Sequence, residues 1–213
     1  MILPPLYAVL DSEVAERFGW GLDDLARACL AGGARLLQVR AKHLASGALL
    51  ALSDRIVATA AAAGARVVIN DRADVALLAG AWGVHVGQDD LPARGIRAAA
   101  RDLAIGLSTH TAGQITQAIA EPISYLAVGP VFPTATKATG YEPVGLDLVR
   151  VASAAGRAAG TPVVAIGGIT LDRAPAVIAA GAATVAVIGD LFAGGDPEAR
   201  TRAFVDRLGA SAA

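Results

Sequence analysis

Eight short runs of apolar, largely β-branched residues recur along this 213-residue chain, and their number and spacing narrow the possible folds more than anything else in it. They are Leu6–Leu10 (LYAVL), Arg35–Val39 (RLLQV), Arg66–Ile69 (RVVI), Gly83–Val86 (GVHV), Ala104–Leu107 (AIGL), Tyr125–Val128 (YLAV), Pro162–Ile166 (PVVAI) and Thr184–Ile188 (TVAVI). Each is continuous rather than alternating, as expected of parallel strands buried on both faces. Between them lie Ala- and Leu-rich stretches of helical period, such as Ser46–Gly64 (SGALLALSDRIVATAAAAG), several of which close on Gly as helices commonly do. Eight strand–helix alternations predict an α/β fold, a (β/α)8 barrel of the TIM type formed as one domain over residues 1–213. A doubly wound sheet, which usually closes its count at about five to seven strands, is the second architecture.

Composition removes several function classes. With 54% hydrophobic and 17% charged residues the chain is not disordered. The same figures raise the question of a membrane protein, but no run reaches the roughly 18 uncharged apolar residues of a spanning helix. The opening MILPPLYAVLDSE has no basic residue before its apolar part, so it does not read as a signal peptide. A net charge of -1 without an acidic or basic tail leaves no electrostatic footprint for nucleic acid or a membrane surface. The single cysteine, Cys29, sits among apolar neighbours at helical spacing and is expected in the core. A cytoplasmic location is the expectation.

In a barrel, functional groups cluster just after each strand, at the C-terminal face. The second run ends in QVRAK, where alternation puts Gln38, Arg40 and Lys42 on one face, two cations and an amide suited to an anion. The third is followed by Asn70, Asp71 and Arg72, and the fourth by GQDDLP with Asp90. Each of these could simply cap the next helix. As neighbours in a barrel, however, the two ends would bring carboxylates together, and paired carboxylates without a His/Cys cluster suit a hard cation such as Mg2+ that shares phosphate oxygens. The fifth run gives Ser108, Thr109 and His110, with His110 either a base or part of a helix start; the sixth gives Thr134, Thr136 and Lys137 in GPVFPTATK. Gly-Gly in AIGGIT and Ile-Gly in VIGDLF follow the seventh and eighth, where backbone N–H groups make a monophosphate cradle. His85, inside the fourth run, reads as a packing or pocket residue, and His43 as structural. The chain thus offers two anionic sites, one tied to a metal.

Six of these segments, LLQVRAK, INDRADVA, GVHVGQDDLP, GLSTHT, GPVFPTATK and AIGGIT, resemble the thiamine phosphate synthases in order and spacing along nearly the whole chain. The resemblance implies a transferase that joins a hydroxymethylpyrimidine diphosphate to a thiazole phosphate, plain or carboxylated, giving thiamine phosphate and diphosphate. It implies that Gln38, Val39, Arg40, Ala41, Lys42 and Asn70 contact the pyrimidine diphosphate and that Asp71 and Asp90 hold Mg2+. Ser108, Lys137 and Arg40 would assist the departing diphosphate. Thr134, Ala135, Thr136, Gly168, Ile188 and Gly189 would contact the thiazole phosphate. It also implies small-molecule partners only and, commonly, a homodimer. One departure is Gly189, where the family usually has Ser, with Asp190 close by; another is the loop Ala138–Gly145, which fits no assigned pattern.

Two rival readings stay open from the sequence. A related thiazole tautomerase would share the barrel without needing the full diphosphate grip, and a non-catalytic thiamine-phosphate-binding barrel would have no use for leaving-group stabilisation.

Overall fold

The computed structural model describes residues 1–134 and 142–209. Eight strands close into a parallel barrel in chain order: β1 (Leu6–Asp11), β2 (Leu36–Arg40), β3 (Arg66–Asn70), β4 (Gly83–Val86), β5 (Ala104–Thr109), β6 (Tyr125–Val128), β7 (Val163–Ile166) and β8 (Thr184–Val187). β1 pairs with both β2 and β8, which closes the ring. Every predicted run is a strand, and only the ends shift. Pro162 falls outside β7, having no N–H to offer the ladder, but its carbonyl still accepts from Leu126 N–H at 3.0 Å.

The connecting helices are α1 (Ser12–Arg17), α2 (Leu22–Ala31), α3 (Ser46–Ala62), α4 (Ala73–Leu78), α5 (Ala93–Ala99), α6 (Ala112–Ile119), α7 (Gly145–Ala159), α8 (Ala174–Ala179) and α9 (Pro197–Gly209). A 3-10 turn, Gly189–Phe192, follows β8 directly. No helix among the described residues is long and apolar enough to cross a membrane.

The two-residue alternation of each strand divides the core in two. Outward-facing residues such as Ala8, Leu37, Ile69, Val84, Ile105 and Val185 pack beneath the helices, while Tyr7, Val9, Leu36, Val68, Tyr125, Ala127, Val164 and Ala186 fill the barrel interior. Cys29 is fully buried in the outer layer, as expected. Inside, the large side chains Leu36, Tyr7 and Tyr125 lie toward the strands' N-terminal halves. Further along, the inward positions of β5, β6 and β8 are small, namely Ser108, Ala127 and Ala186, and the barrel opens there.

Candidate active site

At that open end lies a cavity of about 410 Å³. Gln38, Arg40, Lys42, Asn70, Asp71, Asp90, Ser108, Thr134, Gly168, Ile188 and Gly189 all line it, so residues from seven strand ends converge as the sequence pattern implied. Val39 and Ala41 do not: their side chains are buried in the outer layer, because in an extended segment they point opposite to Gln38, Arg40 and Lys42. As side-chain contacts to substrate they are a correction. Ala135, Thr136 and Lys137 lie outside the described residues, as does the 138–141 half of the 138–145 loop.

The carboxylates do not cap the helices that follow them. α4 starts after Arg72 and α5 after Pro92, neither with a side-chain cap. Asp71 is instead the one non-glycine residue at positive φ (60°) among those described, a conformation that Asp and Asn tolerate better than most. Its N–H donates to the His85 carbonyl at 2.8 Å, extending the β3–β4 ladder one step before the chain turns. Asp90 accepts from Gly87 N–H at 2.7 Å, which folds the GQDD loop back on itself, and Gln88 Nε2 donates to the Ser108 carbonyl at 2.6 Å. The two carboxyl groups are close enough for the charge of one to act on the other. Partial burial of its carboxyl holds Asp90 above the usual carboxylate range, the Asp71 charge adds to this, and the Gly87 N–H and Lys42 work against it.

The expected pair of converging cations is already compensated. Lys42 Nζ lies 2.8 Å from Asp71 Oδ2. Arg40 is paired with Asp11, its register partner on β1, whose other oxygen caps α1 through Val14 N–H at 3.0 Å. Asp11, buried behind the cavity wall, was not legible as the partner of Arg40.

Across the cavity, Gly167 (φ 103°) and Gly168 (φ 62°) adopt backbone open mainly to glycine, and a Cβ on Gly168 would press on the Pro133 carbonyl. Asp190, beside this cradle, is not left to repel an anion. It accepts from Leu171 N–H at 3.0 Å and pairs with Arg200 Nη2 at 2.6 Å, so it ties the β7 and β8 loops together with its charge balanced. Arg173 donates to the Gly168 carbonyl at 2.9 Å and covers the Phe132 ring.

His110 sits at a helix start: Gln114 Oε1 accepts from its N–H at 2.7 Å while Thr111 caps α6 through Gln114 N–H at 3.2 Å. Its Nδ1 lies 2.6 Å from the Gly129 carbonyl, which can only accept, so Nδ1 is protonated. His43 pairs with exposed Glu13 at 2.6 Å, away from the cavity.

Sequence reasoning named Gln38, Ser108 and, as a packing or pocket residue, His85, but missed the two tyrosines that join them across the cavity floor. Gln38 Nε2 lies 2.8 Å from Tyr7 Oη, Tyr7 Oη 3.1 Å from Tyr125 Oη, Tyr125 Oη 3.0 Å from His85 Nδ1, and His85 Nε2 2.8 Å from Ser108 Oγ. A Gly inside β5 makes this possible. Gly106 is the register partner of His85 on one side and of Tyr125 on the other, and a Cβ there would overlap Tyr125 Cζ and Oη.

Known proteins align with this arrangement. A family model described as thiamine monophosphate synthase matches residues 6–191. The thiamine-phosphate synthase of Roseiflexus castenholzii is 42% identical over 206 residues, covering 94% of this chain and 86% of that one. That of Anaeromyxobacter dehalogenans is 48% identical over 176 residues, covering 82% and 77%. The solved thiamine phosphate pyrophosphorylase of Pyrococcus furiosus superposes with a TM-score of 0.88 at 27% identity, over 98% of this chain and 96% of that one. The chain belongs to the thiamine monophosphate synthase family.

Proposed function

We propose that this protein is a transferase that joins a hydroxymethylpyrimidine diphosphate to a thiazole phosphate, plain or carboxylated, and releases diphosphate to give thiamine phosphate. The observation that carries the reading is a single cavity with a lysine–carboxylate cluster on one side and a glycine-rich backbone cradle on the other. On the β2–β4 side Lys42, Asp71 and Asp90 meet; on the β7–β8 side the Gly167–Gly168 backbone and the turn from Gly189 form a cradle. One side for each substrate brings the reacting atoms together.

The residues fit a hard divalent cation. Two neighbouring carboxylates, one held above its usual range by partial burial and then by the other's charge, are a donor pair that a cation would relieve. Asp71 and Asp90 would hold Mg2+, which when bound would offset the charge of the diphosphate. Arg40, Lys42 and Ser108 then hold the diphosphate, with Gln38 and Asn70 against the pyrimidine side. Lys137, carried over from the resemblance, meets the charge that develops as the bond breaks. The C–O bond to diphosphate breaks with its electron pair leaving on oxygen, the aminopyrimidine spreads the positive charge, and the thiazole nitrogen lone pair captures the carbon. No proton is lost in this exchange, so the cavity needs no general base. Thr134, Gly168, Ile188 and Gly189 hold the thiazole phosphate.

Purified protein given both substrates is expected to release diphosphate and accumulate thiamine phosphate with Mg2+, and to stop in chelator. Absence of release from protein that still binds the thiazole phosphate would transfer the reading to a tautomerase.

A further inference from the structure

The polar chain on the cavity floor has a direction, and the direction has a consequence. Its members come from five strands: Gln38 from β2, Tyr7 from β1, Tyr125 from β6, His85 from β4 and Ser108 from β5. Protons can be assigned from the Gln38 end. The amide nitrogen donates to Tyr7 Oη, so the Tyr7 proton goes to Tyr125 Oη and the Tyr125 proton to His85 Nδ1. A ring nitrogen that accepts carries no proton, so the neutral imidazole bears its hydrogen on Nε2 and donates to Ser108 Oγ. With its oxygen already accepting from His85, Ser108 turns its own proton toward the cavity.

We propose that Tyr7, Tyr125 and His85 are positioning residues, a chain of donors that holds His85 in its Nε2–H tautomer and so presents Ser108 to the departing diphosphate as a hydroxyl donor. This rests on the reading that the diphosphate lies at Ser108. Both phenols are buried, and burial holds each above the ordinary phenol range, so they serve as neutral donors. The opposite direction requires the Gln38 amide turned round so that its oxygen accepts from Tyr7. Ser108 would then donate to the imidazole and aim a lone pair at an anion. A hydroxyl that donates to an anionic oxygen gives a charge-assisted bond, and one that faces it with a lone pair repels it.

The tautomer is readable without substrate. The chain has three histidines, and 15N-labelled protein resolves the ring nitrogens of each. His85 is expected in the Nε2–H form, with Tyr125→Phe producing a mixture of tautomers. In turnover, His85→Gln places an amide N–H where Nε2–H was and is expected to keep most of kcat. His85→Asn, too short to reach Ser108, is expected to lower kcat about 10- to 100-fold, the worth of one hydrogen bond to a charged group, with KM for the diphosphate changing less. Ser108→Ala should cost less in the His85→Asn background than in wild type, because His85 acts through Ser108. Wild-type His85 in the Nδ1–H form, or equal kcat for the Gln and Asn variants in folded protein, overturns the proposal. A wild type that makes no thiamine phosphate yet shows the Nε2–H form removes the functional reading and leaves the donor chain standing.

Discussion

Replacing Asp90 by Asn separates what this carboxylate does for the fold from what it does for the metal. Without a cation, Asp90 is a liability: its carboxyl is crowded against Asp71 and held above the usual range by partial burial first and by that neighbour's charge. The amide keeps an oxygen to accept from Gly87 N–H, so the loop bond at 2.7 Å survives. Relief of the repulsion is screened, because much of Asp90 is open to water, and is worth less than about 1 kcal/mol. At about 2–4 °C per kcal/mol for a chain of this size, Tm in chelator rises by a few degrees at most. Mg2+ reverses the order. A ligand present at about 100 times its Kd adds about 2.7 kcal/mol to the native state, which raises the wild-type Tm by roughly 5–11 °C. With one carboxylate gone, most of that shift and most of the diphosphate release should disappear.

Thermal melts of both proteins in chelator and in Mg2+, beside a diphosphate-release assay, make the test. The curves are expected to cross, with Asp90→Asn the more stable protein in chelator and the less stable in Mg2+. Asp71→Asn serves as the control. Asn tolerates the φ of 60° at that position, but the substitution also gives up the 2.8 Å pair with Lys42, so gain and loss offset and Tm in chelator stays level. It too should lose the Mg2+ shift. A variant that keeps the full Mg2+ shift, or is clearly less stable than wild type in chelator, would refute the shared-cation reasoning.

Three further outcomes are expected. On its proposed role at the charge that develops during the reaction, Lys137→Ala should lower kcat more than it raises KM; if KM alone moved, Lys137 would be a binding residue. Gly106→Ala should lower Tm by several degrees, since forcing a methyl into a filled interior typically costs about 1–3 kcal/mol, and should also lower kcat by pushing Tyr125 off His85. An unchanged melt would mean that Tyr125 has room to move. Alkaline solution should weaken the fold through Cys29, whose thiol is pushed up to about 11 by burial. Below pH 9 the thiol is protonated in both states. Between about pH 9 and 11 only the unfolded chain releases the proton, so stability falls as pH rises, by on the order of 2–3 kcal/mol at the upper end. Tyr7 and Tyr125 act in the same direction. Urea midpoints at pH 8 and pH 10.5 should show the fall, reduced in Cys29→Ala; equal slopes would remove the thiol as a cause.

What was legible in the sequence depended on one-dimensional pattern. Continuous apolar runs marked the eight strands, alternation placed Gln38, Arg40 and Lys42 on one face, and neighbouring strand numbers brought Asp71 to Asp90. Local chemistry alone also allowed helix caps at Asn70, Asp71 and Asp90, but the helices begin beyond them. Pairings set by register or by closure left no such trace. Asp11 meets Arg40 only because β1 and β2 align those two residues, and Asp190 meets Arg200 and Leu171 only once the last loops fold together. Tyr7 and Tyr125 read as ordinary strand residues, and 118 positions separate the hydroxyls that meet inside the barrel. One mark of their meeting was in plain view. A Gly in mid-strand weakens a sheet unless something must come close to it, and AIGL carries one at Gly106. What comes close is the Tyr125 ring, and a methyl group at that position would stand between the phenol and His85. The missing side chain in β5 is therefore what lets two phenols, an imidazole and a serine form one chain that ends at Ser108 on the cavity wall.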